Sequence, residues 1–250
     1  MDRTSAYELM CQYTQNESLR RHMLAVETAM RAYAIRGDED VEKWGIVGLL
    51  HDFDYERWPE PPDHPMQGAQ ILADQGYPED VIYAIKSHVD AVPGHPRISQ
   101  LDKTLFACDE LCGFITAVAL VRPQGIIGMN AKSVRKKMKQ KSFAEKVSRE
   151  DITEGARELG LELNEHIQFV VDALAEDAQR LGLPVGSDAI QEAKSTRPPV
   201  RAGQIELKPG SQLPVAAKHA GPGGRGRVQH EPLDATGGVG ATSHDSSWHH

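Results

Sequence analysis

Side chains able to hold a metal ion recur along the first half of this 250-residue chain: His22, the adjacent pair His51 and Asp52, His64, His88 and Asp109. The pair closes the apolar run Trp44-Gly45-Ile46-Val47-Gly48-Leu49-Leu50. An imidazole and a carboxylate at the inner end of such a run are costly to bury without a partner. A divalent cation is the natural one. The other four follow the same positional logic. His22 lies on the stripe of Ala25, Val26, Ala29, Met30 and Tyr33, which turns its ring toward the core. His64 precedes Gly68, Ile71 and Leu72, with Gly68 allowing another backbone to approach. His88 extends the row Val81, Ile82, Ile85, and Asp109 sits between Leu105, Cys112 and Thr116. A single inward histidine is usually a hydrogen-bonded core residue, and a lone buried Asp commonly caps a helix or pairs with Arg. Six converging on inward faces would be left uncompensated without a cation. The set could hold one or two ions. Neutral imidazoles with carboxylates suit Mn, Fe, Co, Ni or Zn, and Mg suits so His-rich a site less well.

These residues need helices to carry them. Apolar residues three and four apart predict helices over about 4–13, 17–36, 40–51, 65–75, 78–89, 100–121, 130–139, 142–147, 149–159 and 163–181. Pro65 and Pro78 suit helix starts, whereas Gly37, Gly76 and Gly182 suit stops. Prolines 59, 61 and 62 make the stretch Phe53 to Asp63 a loop, as Pro93, Gly94 and Pro96 do for Asp90 to Arg97. No alternating strand pattern competes, and the expected fold class is all-α: a helical bundle with the metal site in its core. The expected domain is 1–185. From 186 to 250 the chain is rich in Gly, Pro and Ser, a composition that predicts a disordered tail. Its His219, His230, His244, His249 and His250 are expected to be solvated.

Composition narrows the function. A net charge of −8 argues against broad binding of nucleic acid or anionic membrane. Cys11, Cys108 and Cys112 are too few for a disulfide framework, so reduced thiols and a cytoplasmic setting are expected. Cys108 and Cys112, beside Asp109, are expected as small core residues rather than a thiolate metal site. The N-terminal residues show no basic region followed by an apolar stretch, so no signal peptide is expected, and no apolar run reaches membrane-spanning length.

The ordered set resembles the HD-domain superfamily of metal-dependent phosphohydrolases, and more closely its small bacterial HDIG-type proteins. The residues that carry the likeness are LRRHMLAVETAMRAYA around His22, WGIVGLLHDFDYE at the pair, HPMQGAQIL at His64, AIKSHVD at His88 and LDKTLFACDELCGFITA at Asp109. The likeness runs from about Glu8 to Leu183. It implies that His22, His51, Asp52 and Asp109 form the primary metal set. His64 and His88 match the extra histidines of two-metal members, in which the signature Asp bridges the ions. It also implies a catalytic centre at His51 and Asp52, where two ions about 3.5–4 Å apart share a water and lower its pKa. The implied activity is hydrolysis of a phosphoric ester, as phosphatase or phosphodiesterase, on a small phosphorylated metabolite or nucleotide. Two other functions stay open on the same scaffold: a diiron oxygenase, and a non-catalytic nucleotide-binding regulatory module.

Candidates for binding substrate are Arg57 on the proline-rich loop, Arg97 on the loop after His88, Lys103 before Asp109, and Lys136. Each could clamp a phosphate, with surface ion pairing as the alternative. Lys136 belongs to the dense basic run Lys132, Arg135, Lys136, Lys137, Lys139 and Lys141, a candidate phosphate-attracting rim, polyanion site or solvated helix face. Asp54 is a candidate partner for a ligating imidazole. His95 and Asp90 share a loop near the expected site. Oligomeric state is not legible from these residues.

Overall fold

A computed structural model describes residues 2–186 of the chain, and within them it shows nine α-helices and no strand. In chain order these are α1 Arg3–Tyr13, α2 Glu17–Gly37, α3 Val41–Leu50, α4 Asp63–Asp74, α5 Glu79–Ser87, α6 Gln100–Leu120, α7 Ala131–Met138, α8 Arg149–Glu158 and α9 Leu163–Glu176. The all-α expectation holds. The expectations for 187–250, including the tail histidines, lie outside the described residues.

Local chemistry sets the helix ends. Asp2, Asn16, Asp40, Ser99, Asn130 and Ser148 each accept backbone N–H groups of the turn that follows, satisfying donors that a helix start leaves bare. His64 precedes Pro65 and is extended (φ −84°, ψ 129°), because a proline ring clashes with helical backbone before it.

The core lies where α2, α3 and α6 meet. Gly48 is decisive there. A Cβ on it would stand 2.9 Å from the backbone nitrogen of Glu27, so only glycine lets α3 approach α2 this closely. Gly155 does the same for α8 against α6, with the Ala107 Cα 2.5 Å from where its Cβ would be. Gly68 makes room for the Asp54 carboxylate (Cγ at 2.7 Å), a side chain and not the backbone that the sequence suggested. Cys108 and Cys112 are buried in the core as expected.

Three boundaries differ from the sequence-based expectation. Residues 142–147 form successive turns, not a helix: Ala144 has a φ of 44°, and the Arg149 guanidinium donates to the carbonyls of Phe143, Ala144 and Val147. The backbone pairs instead in turns, with the Val147 N–H donating to the Ala144 carbonyl at 3.1 Å. The last helix ends at Glu176, and Gly182 (φ 65°) closes a run of turns beyond it. At the end of α2 the left-handed residue is Asp38 (φ 56°), one past Gly37.

Candidate metal centre

All six sequence-predicted ligands meet. His22 comes from α2, His51 and Asp52 from the turn that ends α3, and His64 from the entrance to α4. His88 follows α5 directly, and Asp109 lies mid-way along α6. His51 is fully buried, and His64 and His88 nearly so. His22 and Asp109 are about one-fifth exposed, so the His22 ring stands at the floor of a cleft instead of deep in the core.

The ring orientations are fixed from behind. His51 Nδ1 donates to the Gly48 carbonyl at 2.8 Å and His88 Nδ1 to the Ile85 carbonyl at 2.6 Å. His64 Nδ1 lies 2.8 Å from Asp54 Oδ1. The other oxygen of Asp54 accepts the Gly68 N–H at 2.7 Å. Carbonyls and carboxylates only accept, so Nδ1 carries the proton in each neutral ring and Nε2 offers its lone pair. These three Nε2 atoms all point at Asp52.

The Asp52 carboxylate is divided between two groups of donors. Its Oδ2 lies 3.4 Å from His51 Nε2 and 3.8 Å from His22 Nε2. Its Oδ1 lies 3.3 Å from His64 Nε2 and 3.4 Å from His88 Nε2. Asp109 Oδ1 completes the first group, 2.9 Å from His22 Nε2 and 3.4 Å from His51 Nε2. One group is thus His22, His51, Asp52 and Asp109; the other is Asp52, His64 and His88. Most of these separations exceed the usual length of an N–H···O bond. They match the edges between neighbouring ligands of one ion, about 3.0–3.5 Å for metal–ligand bonds of about 2.0–2.2 Å. Lone pairs of carboxylate and imidazole facing one another are repulsive unless a cation lies between them. The donor set therefore fits divalent metal at both groups.

The electrostatics agree. Burial opposes charge on His51, but Asp52 and Asp109 outweigh it and hold its pKa well above the usual imidazole range. Burial opposes charge on His64 as well, and Asp52 and Asp54 still push it up to about 9. Burial would raise the carboxyls of Asp52 and Asp109, yet the facing imidazoles hold both far below the normal range. Without metal, the cluster gathers protons in place of cations.

Above the cluster opens a cleft of about 600 Å³. His22, Asp52, His64, His88 and Asp109 face it, with Tyr55, Phe106, Pro59 and Pro61 along its walls. Glu110, Asp151 and Lys146 stand in its lining on the α6–α8 side. Burial, and then the charge of Asp109, push Glu110 up to about 7, while its Oε2 accepts the Ser148 N–H at 3.0 Å.

None of the four sequence-based candidates for binding substrate lines this cleft. Arg57 donates to the carbonyls of Gln12 and Tyr13 and covers the Tyr13 ring at 4.0 Å. Arg97 is held by Glu158 at 2.8 Å, by Asp90 and by the Ser87 carbonyl, over the face of Phe106. Each guanidinium is thus committed to tying loops down. Lys103 is absent from the lining, and Lys136 lies in a separate concavity with Lys132, Arg135 and Lys139. The cation that does line the cleft is Lys146. Spacing alone does not single it out, since the sequence places it on a helix over 142–147 where the structure has turns. Asp90 does line the cleft, as its place on that loop suggested, whereas His95 borders a different depression that Asp90 and Arg97 also share. The cleft's Glu110 was readable only through its place beside Asp109.

Residues 19–113 match the family model of the HD domain. This stretch is an HD domain. It contains all six clustered residues, and HD-domain proteins are generally metal-dependent hydrolases that bind divalent ions and act on phosphorylated substrates. A search of curated proteins found none that matches the chain. Among the described residues, no helix of or beyond the HD domain is long and apolar enough to cross a membrane.

Proposed function

We propose that His22, His51, Asp52 and Asp109 would hold one divalent transition-metal ion and Asp52, His64 and His88 a second, and that the chain hydrolyses a phosphoric ester of a small metabolite or nucleotide. The observation that carries this reading is the division of one carboxylate, with Oδ2 toward His22 and His51 and Oδ1 toward His64 and His88. Mn, Fe, Co, Ni or Zn suits the mixed nitrogen and oxygen donors. When bound, such a pair supplies a water of lowered pKa and neutralises charge developing on a phosphoryl oxygen.

The chain's own residues do the rest. The Gly48 and Ile85 carbonyls and the Asp54 carboxylate hold three imidazoles in place, so no reorganisation is needed at the moment of reaction. His51 and Asp52, assigned from sequence as the catalytic pair, act in this reading as ligands. Lys146 offers a point charge to a phosphate oxygen, and Tyr55 and Phe106 limit water around the ester. Glu110, pushed up to about 7 by burial and by Asp109, lines the same cleft and in this reading gives a proton to the leaving-group oxygen.

Metal analysis of protein purified without added metal, paired with a phosphate-release screen on mono- and diesters, tests the proposal. About two ions per chain and turnover abolished in Asp52→Ala are expected. Oxygen uptake in place of phosphate release, or full turnover in the Asp52 variant, would overturn it.

A further inference from the structure

On the face formed by α7 and α9, Lys132, Arg135, Lys136 and Lys139 line a second concavity of about 580 Å³ with Ala131 and Asn164. This site needs neither the metal cluster nor the reaction proposed above. The four cations recur at i, i+3, i+4 and i+7 and so stack on one side of the helix. Like charges at these spacings destabilise a helix by about 0.2–0.5 kcal/mol per pair. The macrodipole favours the basic residues of the last turn but disfavours Lys132, which lies in the first. Ion pairs among the described residues engage Arg36, Lys43, Arg97 and Arg180, and none of these four. Arg135 reaches the amide oxygen of Asn164 at 3.2 Å instead. In a chain of net charge −8, four self-repelling cations without a facing carboxylate among the described residues await an anion.

The shape narrows which anion. Lys132, Lys136 and Lys139 present exposed ammonium groups at the rim, while Ala131 and the aliphatic lysine stems make the interior apolar. Several charges call for several phosphates; an apolar floor beside a guanidinium suits a flat ring. The volume is that of a small-molecule site, and the acidic balance of the whole chain opposes a long nucleic-acid polymer. We propose that this concavity binds a nucleoside polyphosphate.

Calorimetric titration of the full chain with ATP, in EDTA so that the metal cluster contributes nothing, tests this. Saturable 1:1 binding is expected, weakened by added salt and tighter than binding of AMP or inorganic triphosphate. The double variant K132E/K136E should weaken it roughly tenfold or more, since charge-assisted bonds are lost. Lys146→Ala, in the other cleft, should leave it unchanged. If the charge-reversed protein fails to fold, K132Q/K136Q serves in its place. No ATP binding, binding unaffected by the lysine changes, equal affinity for inorganic triphosphate, or tighter binding of a single-stranded oligonucleotide would each overturn the proposal.

Discussion

Asp54 lies fully buried beside the ligand cluster, and each of its oxygens has one donor, His64 Nδ1 or the Gly68 N–H. Asp54→Ala would leave both donors bare and free the His64 ring to turn. Affinity for the second ion should fall about 10–100-fold, with the first retained, as a two-site metal titration would show. Protons compete for the same positions. In metal-free protein His64 is raised from 6.5 to about 9, so its contribution to stability is complete below pH 6.5 and is lost as pH rises through 9. Metal binding behaves oppositely, because deprotonated imidazoles are the ligands. Melting curves at pH 6.5 and 9.5 should therefore show the metal-free protein losing stability at the higher pH, and the gain from added metal growing. Equal gains at both would show that the ions bind elsewhere. Residue types and spacing made all six cluster members legible in the sequence, since each sits on an apolar stripe whose direction a helix fixes. Which cation lines the cleft was not legible. Arg57 and Arg97 are attractive as cations in isolation, and only the folded chain reveals the carbonyls and carboxylates that occupy them.

Helix packing sets the separation of the ligands, and Gly48 sets the packing. Alanine there would place a methyl 2.9 Å from both the Glu27 nitrogen and the Val26 carbonyl carbon. Backbone cannot yield as a flexible side chain can, so Gly48→Ala should cost about 1–3 kcal/mol and displace α2, which carries His22, from the end of α3. A lowered urea midpoint together with weakened metal binding would be the signature. Glu27 tests the same interface from the other side. Its buried carboxylate takes Arg3 at 2.6 Å, Arg31 at 2.9 Å and Arg180 at 3.1 Å, tying α1, α2 and the segment after α9 together. Glu27→Ala leaves three cations around an apolar gap and should cost about 3–5 kcal/mol, read from the same denaturation curve. Apolar periodicity disclosed eight of the nine helices closely and the ninth with an overlong end, because burial of one face is what produces the pattern. It failed at 142–147, where Phe143, Ala144 and Val147 mimic helical spacing. Nothing local announces that Arg149, from the next helix, will donate to their carbonyls.

At the scale of the whole molecule, the two concavities separate opposite demands on one acidic chain: a carboxylate-rich cleft that gathers cations, and a basic face whose described lining holds no carboxylate. Both depend on a core that must close somewhere, and the described structure places that closure beyond α9. Leu181 and Leu183 are buried there, and the Pro184 carbonyl accepts the Ile126 N–H at 2.9 Å, holding the turn between α6 and α7. Gly125 packs against the same proline, with no room for a Cβ. Burial of each leucine is worth about 1.5–3 kcal/mol, so losing both removes about 3–6 kcal/mol from a total stability of about 5–15. A chain ending after Arg180 should therefore melt far lower or fail to fold. A chain ending after Gly186 keeps every one of these contacts and should retain cooperative unfolding, two-ion binding and turnover. If the longer version melts as low as the shorter one, residues beyond 186 take part in the fold and the domain limit proposed near 185 is wrong. If the shorter version melts like the full chain, the burial of Leu181 and Leu183 does not hold the bundle closed.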